Sequence, residues 1–107
     1  MLDVTHKVDY SLNVIVGYRD KRSRDFAAGK RVNGFSAIER PARMKLDRLE
    51  AAATLKDLAF LPGNRFESLS GDRKGQFSVR INDQWRICFE WLDGAPGPSN
   101  VEIVDYH

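Results

Sequence analysis

The apolar residues of this chain recur with a helical period in its first half and with a period of two in its second half. After Ser36 the apolar positions are spaced by four, four, three and four residues, as on one face of a helix: Ile38, Ala42, Leu46, Leu49 and Ala53. Ser36 and Glu39 have the spacing of a capping box, which predicts that the serine hydroxyl caps this helix. Pro41 either kinks the helix or is the first residue of the helix proper.

Three shorter stretches of the first half of the chain predict one strand and two helices. The segment "VIVGY" (14–18) is rich in β-branched residues and predicts a first strand. Residues 20–30 predict a short helix that ends at Gly29. Residues 55–59 predict a further helix, which "LPGN" (61–64) breaks.

Beyond these helices, apolar and polar residues alternate in two segments, as in half-buried antiparallel strands. The apolar residues are Phe77, Val79 and Ile81 in the first segment and Trp85, Ile87, Phe89 and Trp91 in the second. After a Gly/Pro-rich loop, Val101 and Ile103 predict a last strand. Helices followed by a meander of strands predict an α+β domain, with N-terminal helices packed on one face of a small antiparallel β-sheet.

The register of the two central strands follows from their alternation. Both apolar sets must point at the helices, so the loop between Ile81 and Trp85 must preserve the face on which side chains lie. A three-residue loop, 82–84, does so by placing Ile81 opposite Trp85. The same register places Arg80 opposite Arg86 on the outer face of the sheet, and Ser78 opposite Cys88.

Two arginines directly opposite each other destabilise a strand pair, by up to about 1 kcal/mol. Either a phosphate lies between the guanidiniums, or both side chains turn into solvent at little cost. If the last strand lies beside the Trp85 strand, Tyr106 shares the outer face with the arginines, and Asp105 and His107 lie at its edge. Arginine can bind a phosphate, histidine or aspartate can transfer protons, and tyrosine can donate a hydrogen bond or stack.

This set of residues suits cleavage of a phosphodiester without a metal ion, and no Asp, Glu or His spacing resembles a metal site. No cofactor is expected. Residues 19–45 contain nine Lys/Arg against three Asp/Glu, a net charge of +6 within a chain total of +2. Such asymmetry is compatible with a polyanion as partner, and equally with a solvated helical face.

Size and composition predict one soluble domain. The 107 residues suffice for a single modest core, and no apolar run approaches the length that crosses a bilayer. The N-terminus lacks the features of a secretory signal. A single cysteine, Cys88, suits a reducing cytoplasm, where we expect the protein to be located.

From about residue 14 to residue 107 the sequence resembles the HigB-type toxins of the RelE/ParE superfamily, bacterial plasmid-maintenance killer proteins. The resemblance is specific in "LSGDRKGQ", "NDQWRICF" and "DYH" and looser in the helices. Residues 1–13 fall outside it, so we interpret them as an N-terminal extension of a single domain, 14–107. The resemblance implies a RelE-like fold, ribosome-dependent cleavage of mRNA, and a helix-turn-helix antitoxin of the HigA type that also represses the operon.

The resemblance also implies which residues form the site. The arginine of the "WRI" strand and the terminal "DYH" carry over to Arg86, Asp105, Tyr106 and His107. Some family members have a histidine and a lysine before "GDR", where this chain has Glu67 and Ser70. Glu67 or His107 is then the candidate to accept the proton of the ribose 2′-hydroxyl.

Further basic residues are candidates for holding RNA, the ribosome or the antitoxin. Arg80, Arg73 and Lys74 are expected to grip the RNA backbone. Contact with ribosomal RNA or with the antitoxin is expected of Arg19, Lys21, Arg22, Arg24, Lys30 and Arg31. Two alternatives to a nuclease stay open at this stage: a ParE-like toxin that blocks a protein such as gyrase, and a weakly active toxin kept as an antitoxin-binding regulator.

Overall fold

A computed structural model describes residues 14–106 and shows an α+β architecture. Its helices are α1 (Lys21–Ala27), α2 (Glu39–Ala51) and α3 (Leu55–Ala59). Its strands are β1 (Glu67–Ser68), β2 (Phe77–Arg80), β3 (Trp85–Glu90) and β4 (Ser99–Asp105). Short 3-10 turns occupy Ser36–Ile38, Pro62–Asn64 and Gly71–Arg73. The predicted extension, residues 1–13, and His107 lie outside the described residues.

Helices α1 and α3 begin at side-chain caps, whereas α2 lacks the cap that the sequence predicts. Asp20 Oδ1 accepts from the amide of Ser23 at 2.9 Å and begins α1. A full capping box begins α3, with Thr54 and Asp57 bonding each other's amides. The predicted capping box at Ser36 is wrong. Ser36 opens a 3-10 turn, so α2 starts three residues later without a side-chain cap.

Pro41 is tolerated near the start of α2. It is the third residue of that helix, where the backbone amide has no partner one turn earlier in any case. The interpretation of Pro41 as the first residue of the helix proper is wrong by two residues, because α2 begins at Glu39, directly after the 3-10 turn Ser36–Ile38.

The strands form one antiparallel sheet in the order β1-β2-β3-β4. The predicted register of the central pair is confirmed: Arg80 lies opposite Arg86, and Ser78 opposite Cys88. The 82–84 loop is closed by Asn82, whose Oδ1 accepts from the amide of Trp85 at 2.8 Å. The amides of Ile81 and Asn82 also donate to Trp85 O, at 2.9 and 3.2 Å. The closed loop keeps the apolar residues of both strands on one face.

The core lies between the helices and the inner face of the sheet. From the helical side it includes Phe26, Phe35, Ile38, Ala42, Leu46, Leu49 and Leu58. From the strands it includes Val79, Ile81, Ile87, Phe89, Val101 and Ile103. The predicted packing of N-terminal helices on one face is therefore confirmed, and the polar residues of the strands lie on the opposite, outer face.

Residues 14–18 do not form the predicted strand. Tyr18 makes a single parallel bridge with Val101, and the amide of Val16 donates to Pro98 O at 2.7 Å. The β3–β4 register shifts between Cys88 and Glu90, and Asn100 on β4 has a positive φ of 50°. This bulge interrupts the edge along which residues 14–18 lie, so their pairing does not extend.

Within residues 14–106, no helix combines the length and the apolar character that crossing a membrane requires.

The two candidate caps provide a test of the fold. Replacing Thr54 by alanine removes a formed capping bond, and we expect a loss of about 1 kcal/mol in the free energy of unfolding. Ser36→Ala is the matched control, because Ser36 makes no capping bond. Chemical denaturation of both variants measures the difference. Equal losses for the two variants would contradict the assignment of the caps.

Candidate functional site

Arg86 is the most constrained charged side chain on the outer face. Its Nε donates to Ser78 Oγ at 2.7 Å, and its Nη2 donates to the backbone carbonyl of Arg65 at 2.5 Å. Only 12% of the side chain is exposed. A guanidinium held at two nitrogens has a fixed plane, so the direction of its third nitrogen, Nη1, is fixed as well.

Tyr106 and Glu67 flank this guanidinium. The Cζ atom of Arg86 lies 5.8 Å from the centroid of the Tyr106 ring, within the range of a cation–π contact. Glu67 Oε1 lies 3.8 Å from Nη2, and the Glu67 side chain is 57% exposed. An oriented cation, an aromatic ring and an exposed carboxylate are therefore adjacent on one surface.

The backbone of Tyr106 is held in register after β4 ends. Its amide donates to Gln84 O at 2.7 Å. Residues 102, 104 and 106 lie on the outer face with Arg86, because Arg86 pairs with Val104 and Cys88 pairs with Glu102. The sequence prediction that Tyr106 shares a face with Arg86 is thus confirmed by the strand pairing.

Asp105 and Arg80 do not join this group directly. Asp105 has the opposite parity in β4, and its Oδ2 accepts from Gln84 Nε2 at 3.0 Å. Arg80 lies opposite Arg86 in the ladder, but its guanidinium forms an ion pair with Asp83 in the following loop. The two opposed arginines thus have separate partners. His107 lies outside the described residues.

A second group of charges occupies the same outer face. Arg73 Nη1 bonds Gln76 Oε1 at 2.9 Å and Glu102 Oε1 at 3.2 Å. Arg19 Nε lies 3.6 Å from the same carboxylate oxygen. Glu102 therefore neutralises part of the positive charge of both arginines. Lys74 follows in the loop and is exposed.

Cys88 lies beneath these charges and is fully buried. Burial is the main reason that the pKa of its thiol is raised, and Arg73 acts in the opposite direction. Among residues 14–106, no group of three or more His, Cys, Asp or Glu side chains is arranged to hold a metal ion.

Asp25 partly neutralises two of the predicted basic residues, Lys21 in α1 and Lys30 after it. Lys21 Nζ lies 2.6 Å from one oxygen of this carboxylate, and Lys30 Nζ lies 3.8 Å from the other. The hydrogen bond from Lys21 is the main cause that lowers the pKa of Asp25, with further charge effects from Lys30 and Arg24. Arg24 itself is exposed.

The remaining predicted basic residues lie against aromatic or open surface. The guanidinium of Arg22 lies over the Phe35 ring, 4.5 Å from its centroid. Arg31 lines a surface cavity of about 450 Å³ together with Lys30 and Arg43. Arg19 is separate from this group, because it pairs with Glu102 on the outer face of the sheet.

Sequence reasoning missed two contacts of Arg86. The predicted register places Ser78 on the outer face, diagonal to Arg86, and this diagonal neighbour is the acceptor of Arg86 Nε. The carbonyl of Arg65 leaves no signal in the sequence, because its direction depends on a left-handed backbone after the Pro62–Asn64 turn.

Comparison with known proteins adds three findings. The family model of the RelE-like toxin of the type II toxin-antitoxin system HigB matches residues 17–107. A protein named Toxin HigB-1, from Vibrio cholerae serotype O1, is 49% identical over 60 residues, which cover 56% of this chain and 63% of that protein. Endoribonuclease HigB of Proteus vulgaris is 35% identical over 63 residues, which cover 57% of this chain and 66% of that protein. The chain thus spans slightly less than two thirds of the length of these curated relatives.

Burial of Cys88 makes a prediction about thiol reactivity. In the folded protein we expect alkylation by iodoacetamide to be slow at pH 8 and to begin at a higher pH than in the unfolded chain, because only the thiolate reacts and its formation is disfavoured. Mass spectrometry of samples labelled between pH 7 and pH 10, with and without urea, measures this shift. Equal rates in both states would show that Cys88 is accessible in the folded protein.

Proposed function

This chain belongs to the HigB-like family of RelE-like toxins of type II toxin-antitoxin systems, and we propose that it is a ribosome-dependent endoribonuclease that cleaves mRNA and so inhibits translation. One relative is named as an endoribonuclease, which supports the reaction type. The proposed setting is the cytoplasm, where translation takes place.

The observation that carries this proposal is the anchored guanidinium of Arg86 beside Tyr106. A planar, oriented guanidinium matches the geometry of phosphate oxygens. A neighbouring aromatic ring offers a surface on which a single-stranded base can stack. Arg86 is therefore the proposed ligand of the scissile phosphate, and Tyr106 the residue that stacks on or orients the substrate.

The chemistry needs no covalent enzyme intermediate, because the ribose 2′-hydroxyl is the nucleophile. Its oxygen attacks the adjacent phosphorus, the bond from phosphorus to the 5′-oxygen breaks, and the products are a 2′,3′-cyclic phosphate and a 5′-hydroxyl. A base takes the 2′-hydroxyl proton and an acid returns a proton to the leaving oxygen. Arg86 opposes the negative charge that develops on the phosphate oxygens.

Glu67, His107 and Asp105 are the candidates for proton transfer. Glu67 is the one described carboxylate that pairs with Arg86, at 3.8 Å. A carboxylate near an RNA phosphate is repelled by it, and the charge of Arg86 offsets this repulsion. In this proposal Glu67 or His107 accepts the 2′-hydroxyl proton, and Asp105 supports the site from the edge of β4.

The remaining basic residues are proposed to hold larger partners. The RNA backbone would be contacted by Arg80, Arg73 and Lys74. Arg80 would have to leave its ion pair with Asp83 to bind a phosphate, and Arg73 would have to leave Glu102. The arginines and lysines of residues 19–31 would contact ribosomal RNA or the antitoxin. Membership of a toxin-antitoxin family implies an antitoxin partner, and we propose that it is of the HigA type. The names of the relatives do not favour a toxin directed at gyrase.

Replacing Arg86 tests the proposed nuclease. In a purified translation system we expect Arg86→Ala to lower mRNA cleavage by about 100- to 1,000-fold, because an oriented donor to the developing charge is lost. Arg86→Lys is expected to restore little, since lysine lacks the planar fork. Arg80→Ala is the matched control from the same face, and we expect a smaller loss. Primer extension on mRNA, with and without ribosomes, maps and counts the cuts.

Two outcomes would contradict the proposal. A folded wild-type protein that inhibits growth without producing cuts would point to a protein target, and DNA supercoiling by gyrase would then be measured. A wild-type protein that neither cuts mRNA nor inhibits growth in the absence of antitoxin would point to an antitoxin-binding regulator.

A further inference from the structure

The carbonyl that holds Arg86 belongs to a residue with an unusual backbone. Arg65 has φ 45° and ψ 53°, in the left-handed region. Among residues 14–106, Asn100 is the other non-glycine residue with a positive φ. A side chain with a Cβ is disfavoured in this conformation, so surrounding contacts must maintain it. The conformation directs the Arg65 carbonyl towards Arg86 Nη2, at 2.5 Å.

The turn before Arg65 is held by a fully buried asparagine. Asn64 Nδ2 donates to Leu58 O at 3.0 Å, at the end of α3. Its Oδ1 accepts from Lys45 Nζ at 2.9 Å and lies 3.4 Å from Arg48 Nη1, both on α2. The side-chain amide of Asn64 thus connects the turn to both α2 and α3. The backbone immediately before Arg65 is therefore fixed by two helices.

Lys45 has an unusual environment for a cation. It is 5% exposed, and its Nζ bonds Asn64 Oδ1 and Gly63 O, which are neutral acceptors. Burial lowers its pKa, and the positive charges of Arg48 and Arg80 lower it further. An apolar residue at this position of α2 would avoid the desolvation of a charge. The two hydrogen bonds of Lys45 fix the Gly63–Asn64 turn, which explains why a lysine occupies this buried position.

We propose that the left-handed backbone of Arg65, maintained by Asn64 and Lys45, positions the guanidinium of Arg86 for phosphate binding. Arg65, Asn64 and Lys45 are positioning residues, since they act through Arg86. This inference rests on the proposed function for its catalytic consequence. The contacts run from Lys45 Nζ through Gly63 and Asn64 to the Arg65 carbonyl and end at Arg86 Nη2.

The position of Arg65 allows a test with matched variants, because the residue is exposed. Arg65→Gly and Arg65→Val both remove the side-chain charge. Glycine adopts a positive φ readily, whereas a β-branched residue is strongly disfavoured there. Comparing the two variants therefore isolates the direction of the carbonyl from the loss of the arginine side chain.

We expect Arg65→Val to have a kcat about 100-fold below that of Arg65→Gly, with similar KM values, since a misdirected catalytic group costs roughly this factor. Cleavage of mRNA in the translation system gives both constants. Equal kcat values for the two variants would overturn the proposal, whether both are high or both are low, because carbonyl direction would then not matter.

A second measurement does not depend on RNA cleavage. The Nη2 protons of Arg86, which include the donor to the Arg65 carbonyl, should exchange slowly with solvent in the wild type and in Arg65→Gly and faster in Arg65→Val, when followed by ¹⁵N NMR in the free protein. The same exchange rate in all three proteins would overturn the positioning of Arg86 even if the nuclease is active. Faster exchange in Arg65→Val, together with a wild type that does not cut mRNA, would overturn the proposed function alone.

Lys45→Met tests the far end of this set of contacts. Methionine fills a similar volume without the two Nζ bonds, so we expect a lower kcat and faster exchange of the Arg86 Nη2 protons, as in Arg65→Val. A change in melting temperature with kcat and exchange unaltered would show that Lys45 only stabilises the fold, and would remove it from the proposal.

Discussion

The core and the candidate site both depend on the register of the two central strands, which the short loop after Ile81 sets. Strand side chains alternate between faces, so a shift of one residue would expose the apolar set of β3 and bury Arg86. Asn82 stabilises the required loop, because its Oδ1 accepts hydrogen bonds from the backbone amides of Gln84 and Trp85. One short connection therefore decides both which residues pack against the helices and which ones reach the outer face.

On that outer face the dominant electrostatic feature is a guanidinium that is largely removed from water and whose hydrogen bonds go to neutral acceptors. Arg86 is bonded to a hydroxyl and a carbonyl, while Glu67 lies farther away at 3.8 Å. Neutral acceptors satisfy the donors without cancelling the charge. A cation of this kind keeps its attraction for an anion, in contrast to Arg73, whose charge is offset by Glu102.

The parts of the fold that follow from local periodicity could be predicted from the sequence, including the helices, the central strands and the Arg80–Arg86 pairing. The spacing of a capping box does not decide where such a box forms. Thr54 and Asp57 form one, whereas Ser36 has the spacing and makes no capping bond. The contacts of Arg65 and Asn64 could not be predicted. They join segments that are distant in sequence through buried polar groups, and no periodicity encodes such a network.

The position of β4 in the chain has a consequence for synthesis. This strand pairs with β3 and bridges to Tyr18 through Val101. The amide of Ile103 donates to Ser23 Oγ, 80 residues away in sequence. Among the described elements β4 is synthesised last. The earlier elements therefore keep apolar surface exposed until β4 has left the ribosome. Contacts of such high sequence separation cost more loop-closure entropy than local contacts do. A nascent chain therefore has Arg86 before it has the strand that brings Tyr106 beside it.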